Sequence, residues 1–319
     1  MSFDLILPFL RPIEHLIMDP SVSEIMVNGA DRVFVERGGL VEPVELQAPL
    51  MERSLQVAIR NIARILGDEI SEEKPLLDAR LPDGSRVAAV FPPCAVQGTT
   101  LTIRKFHSRH FTTEELVRIG ALPPEVLEYL RDGIARRLNI LISGGTGTGK
   151  TTMLNALARF IDATDRIVLI EDTAEIQIEQ ENLVRFEARR EQPGVPAVTI
   201  RDLLKATLRH RPDRIILGEV RGGEAFDLLQ ALNTGHSGSL STIHANSAQQ
   251  AIQRFTSCVL QSTVELPYKA VRSNIAECLN LLLHIERRQG KRYVSQLVEL
   301  ERYNPEHDTF DLRNLYQRG

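Results

Sequence analysis

Apolar positions along this chain follow two rhythms, and the change falls at Asn139. In "RVFVERGGLVEPV", Val33 and Val35 alternate with polar neighbours and the pattern resumes at Val41 beyond Gly38-Gly39. That arrangement predicts two strands joined by a two-residue hairpin turn. "LQVAIRNIARIL" places Leu55, Ile59, Ile62 and Leu66 on one helical face. "RLPDGSRVAAVFPP" and "GTTLTIRKF" predict two further strands, the first entered through a Pro-Asp-Gly turn. These elements predict a compact α+β domain over 1–108. Residues 109–120 are expected to link it to a second domain; there Thr112 and Glu115 form a capping-box pattern before Leu116 and Ile119. Pro123-Pro124 ends that helix and starts another, with Val126, Leu127, Leu130 and Ile134 at helical spacing.

From Asn139 the rhythm changes. "NILIS", "RIVLIE", "RIILGE" and "SLSTIHA" are short, largely apolar runs, each ending in small or polar residues and separated by helical segments. Such runs predict the mainly parallel sheet of an α/β domain over 121–319, covered on both faces. Ligands of open α/β sheets gather at the strand ends. "EQPGVPAV" after "RFEARR" is the one obvious loop.

Composition narrows the classes. A chain of 319 residues accommodates about two domains. With 43% hydrophobic and 25% charged residues it has ordinary globular composition. A net charge of −4 leaves no global basic field for nucleic acid, and aromatic residues make up only 5%, with no Trp, so stacking segments are lacking. No stretch reaches the roughly 18–20 apolar residues of a membrane span. "MSFDLILPFLRPIEHLIMDP" lacks the basic start of a secretion signal. For "FDLILPFLRPIEHLIM", an interfacial or partner-docking helix and an ordinary core helix both stay open. Cys94, Cys258 and Cys278 are isolated and predict three small buried side chains in a reducing cytosol, with no disulfide framework and no zinc site.

Candidate chemistry begins at "LISGGTGTGKTTMLNAL". Gly144, Gly149, Lys150 and Thr151 occupy the fixed positions of G-x-x-x-x-G-K-[ST], and Gly145, Thr146, Gly147, Thr148 and Thr152 complete the loop. A strand precedes it, and a helix comes after it with Leu154, Leu157 and Ile161 inward. Glycines let backbone N–H groups curl around phosphate oxygens, and the helix N-terminus adds positive potential. Lys150 is expected on the terminal phosphates and the Thr151 hydroxyl on Mg²⁺, making ATP and Mg²⁺ the expected ligands. Glu219, off the strand in "RIILGEVRGGEA", is expected to polarise a water or hold the metal shell. Glu171, Asp172 and Glu175 come off another strand, and clustered carboxylates there would face Mg²⁺ and water. "NTGHSGSLSTIHANS" carries His236 and His244, with Thr242 nearby; its small polar residues predict a loop at the phosphates, where a neutral imidazole reports a γ-phosphate.

Together "GGTGTGKTT", "IEDTAEIQ", "LRHRPDRIILGEVRGGEAFDLLQALNTGHSGSLSTIHAN" and "LPDGSRVAAVFPP…TLTIRKF" resemble the bacterial secretion ATPases. These power type IV secretion, conjugation, type II secretion and type IV or tight-adherence pili. The short N-terminal region and overall length are most similar to the conjugal-transfer, TrbB-like or type IV secretion branch. The paired cysteines of the type II branch and the extended N-terminal modules of pilus-assembly members are missing. The resemblance implies a RecA-like P-loop NTPase domain with a smaller N-terminal α+β domain. It further implies a homohexamer at the cytoplasmic face of the inner membrane, peripherally attached and working with secretion or pilus proteins.

ATP would sit between the two domains and drive their relative motion. By motif, Lys150 and Thr151 are the phosphate-loop pair and Glu219 the acidic residue of the second nucleotide motif. Glu171, Asp172 and Glu175 belong to the Asp box, and His236 and His244 to the His box. The family's N-terminal arginines match Arg86 and Arg104. Arg209, Arg211 and Arg221 are further candidates for a ring interface. Other readings are a pilus or type II secretion motor, a nucleic-acid translocase, and an ATP-binding gate with little turnover. No [NT]KxD motif supports a GTPase, no acceptor lid supports a small-molecule kinase, and no sequence-specific nucleic-acid binding is expected.

Overall fold

The computed structural model describes residues 7–106, 111–189, 191, 194–264 and 266–318. The chain divides into two compact units, Met1–Arg109 and His110–Gly319.

In the first unit a short 3₁₀ turn precedes α1 (Arg11–Met18), β1 (Val22–Asn28), β2 (Val33–Arg37), β3 (Leu40–Val44), α2 (Glu52–Ile65), β4 (Leu76–Arg80), β5 (Arg86–Val90) and β6 (Thr100–Arg104). Its sheet has the order β3-β2-β1-β6-β5-β4, with antiparallel neighbours throughout. The β2–β3 hairpin turns through Gly38 and Gly39 at φ +57° and +87°, the left-handed pair that matches strand twist. Leu55, Ile59 and Ile62 of α2 are fully buried, while Leu66 sits at the helix end and packs only partly. Helix α1 buries Ile13, Leu16 and Ile17 in the same core, so over its described residues it is a core helix. Residues 1–6 of that opening segment lie outside the described residues. Strands β1 and β4 carry weaker alternation and were not expected.

The second unit contains α3 (Thr113–Arg118), α4 (Pro124–Ala135), β7 (Ile140–Gly144), α5 (Lys150–Ala158), β8 (Ile167–Glu171), β9 (Leu183–Glu187), α6 (Ile200–Thr207), β10 (Arg214–Val220), α7 (Glu224–Asn233), β11 (Leu240–Ile243), α8 (Ala248–Leu260), α9 (Tyr268–Cys278), β12 (Leu281–Arg288), β13 (Lys291–Asn304) and β14 (Thr309–Gln317). Thr112 caps α3 reciprocally with Glu115; Leu116 is buried, but Ile119 ends the helix and is exposed. Of the expected linker 109–120, residues 109 and 110 lie outside the described residues, as do 190, 192 and 193 around the loop after β9.

This unit's sheet runs β14-β13-β12-β7-β11-β10-β8-β9. Strands β12 through β9 in that order are mutually parallel, and β13 and β14 add an antiparallel meander. One face packs Leu141, Val168, Leu217 and Ile243 against α6–α9; the other packs Ile140, Ile142, Leu169 and Ile216 against α3–α5. Burial on both faces explains why these strands are nearly all apolar. Ile161 lies beyond the end of α5 yet remains buried. Because the central strands are parallel, the ends of β7, β8, β10, β11 and β12 share one edge.

The cysteine expectation needs correcting. Cys258 and Cys278 are buried as small apolar side chains, but Cys94 is exposed. It comes after the Pro92-Pro93 pair in a surface turn, where no apolar period governs its orientation.

Candidate nucleotide site

Strand β7 runs directly into the glycine loop. A side chain at Gly144 would lie 2.5 Å from the Ile285 carbonyl and 2.6 Å from Thr148 Oγ1, so the close approach of β12 requires glycine there. Gly147 and Gly149 hold φ at +69° and +96°, and Gly149 is the N-cap of α5. Thr148 braces the turn by donating from Oγ1 to the Gly145 carbonyl at 2.9 Å. Thr146 stands exposed at the loop crest, and Thr151 and Thr152 are half-buried in the first turn of α5.

Lys150 folds back beneath the loop. Its Nζ donates to the carbonyls of Gly144 (3.1 Å) and Gly145 (2.9 Å) and lies 3.4 Å from the His244 ring nitrogens. Burial lowers its pKa, opposed by the Glu219 carboxylate and reinforced by Arg221. A buried ammonium gripped by carbonyls is the arrangement that a phosphate's charge would relieve.

Glu219 lies in β10 beside Lys150. Its Oε1 is 3.4 Å from His244 Nε2 and accepts from Arg221 Nε at 2.8 Å; Arg221 Nη1 donates to Asp172 Oδ2 at 2.9 Å. Lys150, His244, Glu219, Arg221 and Asp172 therefore form one polar chain along the strand edge. Desolvation and then the Lys150 charge lower the His244 pKa, keeping the ring neutral near pH 7. The side-chain hydrogen bond to Glu219 raises the pKa of Arg221. Thr242 donates to the Gly218 carbonyl at 2.6 Å, stitching β11 to β10 just before Glu219.

Two of the expected acids stand differently. Glu171 is buried, and its Oε1 accepts the backbone N–H groups of Glu175 and Ile176, each at 2.8 Å. Burial pushes its pKa up to about 7 against those hydrogen bonds. It holds the 172–176 turn from beneath rather than facing outward. Glu175 lies in that same turn, its backbone N–H held by Glu171.

His236 does not join the site within this chain. It lies just beyond α7, and its Nδ1 is 3.1 Å from the Ala231 carbonyl. The adjoining Gly238 N–H donates to Asn139 Oδ1, just ahead of β7, so His236 belongs to the opposite end of the sheet from Lys150. Strand β11 separates the two histidines, so closeness in sequence puts them at opposite edges.

Sequence reasoning also missed cations on the other flank. Arg292 Nε donates to the Gly147 carbonyl at 2.8 Å, and Arg287 Nη1 lies 3.3 Å from where a Gly147 Cβ would stand. In the first unit, Arg86 of β5 faces Arg104 of β6 directly, and the same cross-strand row continues to Arg80 and to Glu24.

The donor set suits a magnesium nucleotide. The Thr151 hydroxyl has no protein partner among the described residues. Asp172 and Glu219 add hard oxygens at the same edge. The described residues hold no group of three His, Cys, Asp or Glu able to hold a metal alone. Mg²⁺ typically takes one or two protein oxygens and completes its shell with phosphates and water.

The family model for type II/IV secretion system proteins matches residues 9–303. The conjugal transfer protein TrbB of Rhizobium radiobacter is 38% identical over 91% of this chain and 87% of its own length. The crystal structure of the VirB11 ATPase from the Brucella suis type IV secretion system, in complex with sulphate, is 30% identical. It covers 93% of this chain and 94% of that one, with a TM-score of 0.50. The Legionella pneumophila ATPase DotB, 20% identical over 94% of this chain and 82% of its own, has a TM-score of 0.64 and shares the fold of a RecA-like domain preceded by an α+β domain. With its phosphate loop and strand-edge carboxylate set in that fold, the chain belongs to the type II/IV secretion system protein family, as a secretion ATPase of the conjugal-transfer, TrbB-like branch.

Proposed function

We propose that this chain is the ATP-hydrolysing motor of a conjugal-transfer or type IV secretion apparatus. The observation that carries the reading is the polar chain from Lys150 through His244 to Glu219, with contacts of 3.4 Å, at the mouth of the glycine loop. In this reading the loop N–H groups and Lys150 bind and orient the phosphates. Glu219 orients the attacking water and draws its proton. His244, neutral and within reach of both, reports the terminal phosphate to Glu219. The Thr151 hydroxyl would hold Mg²⁺, which when bound would neutralise charge on the phosphate oxygens. Arg221 and Asp172 hold the Glu219 carboxylate in position, and Glu171 positions the Asp172 turn.

In the same reading residues 1–108 are a moving lobe and 121–319 the motor domain, with Arg86 and Arg104 acting on the nucleotide. The register supports this, because directly opposed arginines cost stability that a bound anion offsets. Asp78 at 4.0 Å from Arg86 and Glu24 at 3.4 Å from Arg104 are the partners such an anion would replace. An arginine supplied by a mobile lobe couples closure to chemistry. Six copies forming a ring at the inner membrane, attached peripherally through the apparatus, complete the reading. No described helix is long and apolar enough to cross a membrane.

Steady-state phosphate release, measured across protein concentrations, tests the proposal. Specific activity should rise as subunits assemble, and Arg86→Ala and Arg104→Ala should each lower kcat by about tenfold or more. Concentration-independent turnover that ignores both substitutions would remove the ring and the two-lobed site together.

A further inference from the structure

Strands β12 and β13 close through Gln289 and Gly290, both at positive φ (+51° and +76°), the tight turn that suits a twisted hairpin. The tip carries four cations in six residues: Arg287, Arg288, Lys291 and Arg292. Arg287 lies directly opposite Arg292, and Arg288 opposite Lys291. Strand alternation puts the two pairs on opposite faces. The Arg287/Arg292 pair meets the phosphate loop: Arg292 Nε donates to the Gly147 carbonyl at 2.8 Å, and Arg292 Cδ lies 3.5 Å from a Cβ built on Gly149. Ile285, two residues before Arg287, pairs with Gly144, so the hairpin's position on the loop is set by sheet register.

Like charges directly opposed across a ladder are destabilising. Arg292 supplies a donor that braces the Gly147 carbonyl. A second arginine on the same face, 3.3 Å from the Gly147 Cβ position, is suited to an anion lying on the loop. Sheet order says which part of that anion. Glu219 and His244 come off β10 and β11 on one side of β7, and the hairpin extends β12 on the other. A terminal phosphate placed for attack near Glu219 leaves the inner phosphates on the hairpin side.

We infer that Arg287 and Arg292 form a second cationic contact on the bound nucleotide, holding its α- and β-phosphates from the side opposite Glu219. The inference rests on the proposed ATP site. Both ATP and ADP offer those phosphates, so the contact contributes equally before and during hydrolysis. It sets affinity, not the chemical step.

The test titrates ATP, ADP and adenosine into the full chain by calorimetry, with steady-state kinetics alongside. Variants are Arg287→Gln, Arg292→Gln, their double, the matching Lys substitutions, and Arg288→Gln with Lys291→Gln as charge controls on the other face. Each single Gln variant should weaken ATP and ADP alike by about tenfold, the double by more, with adenosine unchanged. KM should rise while kcat stays within about twofold, and Lys should restore part of the affinity. The inference is overturned if Lys150→Ala loses ATP while the double Gln variant binds like wild type. It also fails if the control face matters as much, or if kcat falls without KM. A wild-type chain that binds no ATP would sink the nucleotide reading itself.

Discussion

Glu171 ends β8 and Glu219 lies in the adjacent strand β10, yet burial gives the two carboxylates different work. Glu219 is partly exposed among cations, whereas Glu171 is buried and accepts two backbone N–H groups. With its folded pKa raised to about 7 from 4.5, the folded chain keeps this proton after the unfolded chain has released it. Its stabilising contribution is therefore complete below about pH 4.5 and is lost as pH rises through about 7. The loss amounts to about 3 kcal/mol at 1.36 kcal/mol per pKa unit. Glu171→Gln retains an oxygen for both N–H groups and removes the titration. Its melting temperature should overtake that of wild type above pH 7, and the gap should close toward pH 4.5. Parallel curves across that range would show that Glu171 does not ionise with the predicted cost. Sequence alone distinguishes none of this, because three acids in five residues look alike until a fold buries one.

At the scale of elements, what was legible came from period. The β2–β3 turn, α2, the α3 capping box and strands β7, β8, β10 and β11 carry alternation, caps or unbroken apolar runs strong enough to announce themselves. Strands β9, β13 and β14 do not. Leu183–Glu187 mixes exposed and half-buried positions, and Lys291–Asn304 buries Val294 with Ser295 and Leu297 with Val298 on either side of Gln296, a pattern that is neither alternating nor continuous. The arginines on the loop were hidden for a related reason. More than a hundred residues separate them from it, and only the β7–β12 register brings them together. The histidine motif misled in the opposite direction, since proximity in sequence hid a strand between His236 and His244.

The far edge of the sheet relies on an equally non-local device. Buried Arg214 donates from Nε to Asp165 Oδ2 at 2.7 Å and from Nη2 to the Ile134 carbonyl at 3.0 Å, while Arg137 also pairs with Asp165. Gly238 has φ +86°, and a Cβ there would run into the Arg214 guanidinium. Arg214→Ala would leave Asp165 with Arg137 as its remaining cation and would take the Arg214 donor from the Ile134 carbonyl, at a cost of about 1–3 kcal/mol. A denaturation midpoint within error of wild type would show that this network does not anchor the strand starts.

At the scale of the whole molecule, two separately cored units carry different chemistry. One presents a cross-strand row of arginines; the other presents a phosphate loop flanked by an acid on one side and arginines on the other. Family membership over residues 9–303 covers both. The resemblance was legible from motifs because phosphate loops need glycine and lysine at fixed spacing whatever the cargo. The central claim is that Glu219 drives hydrolysis of a nucleotide held by Lys150. Paired measurements of ATP affinity and steady-state phosphate release on wild type, Lys150→Ala and Glu219→Gln test it most directly. The account predicts that Lys150→Ala loses affinity, while Glu219→Gln binds ATP like wild type and turns over at least about a hundredfold more slowly. Wild-type turnover by Glu219→Gln, or a wild-type chain that binds ATP without releasing phosphate, would contradict it.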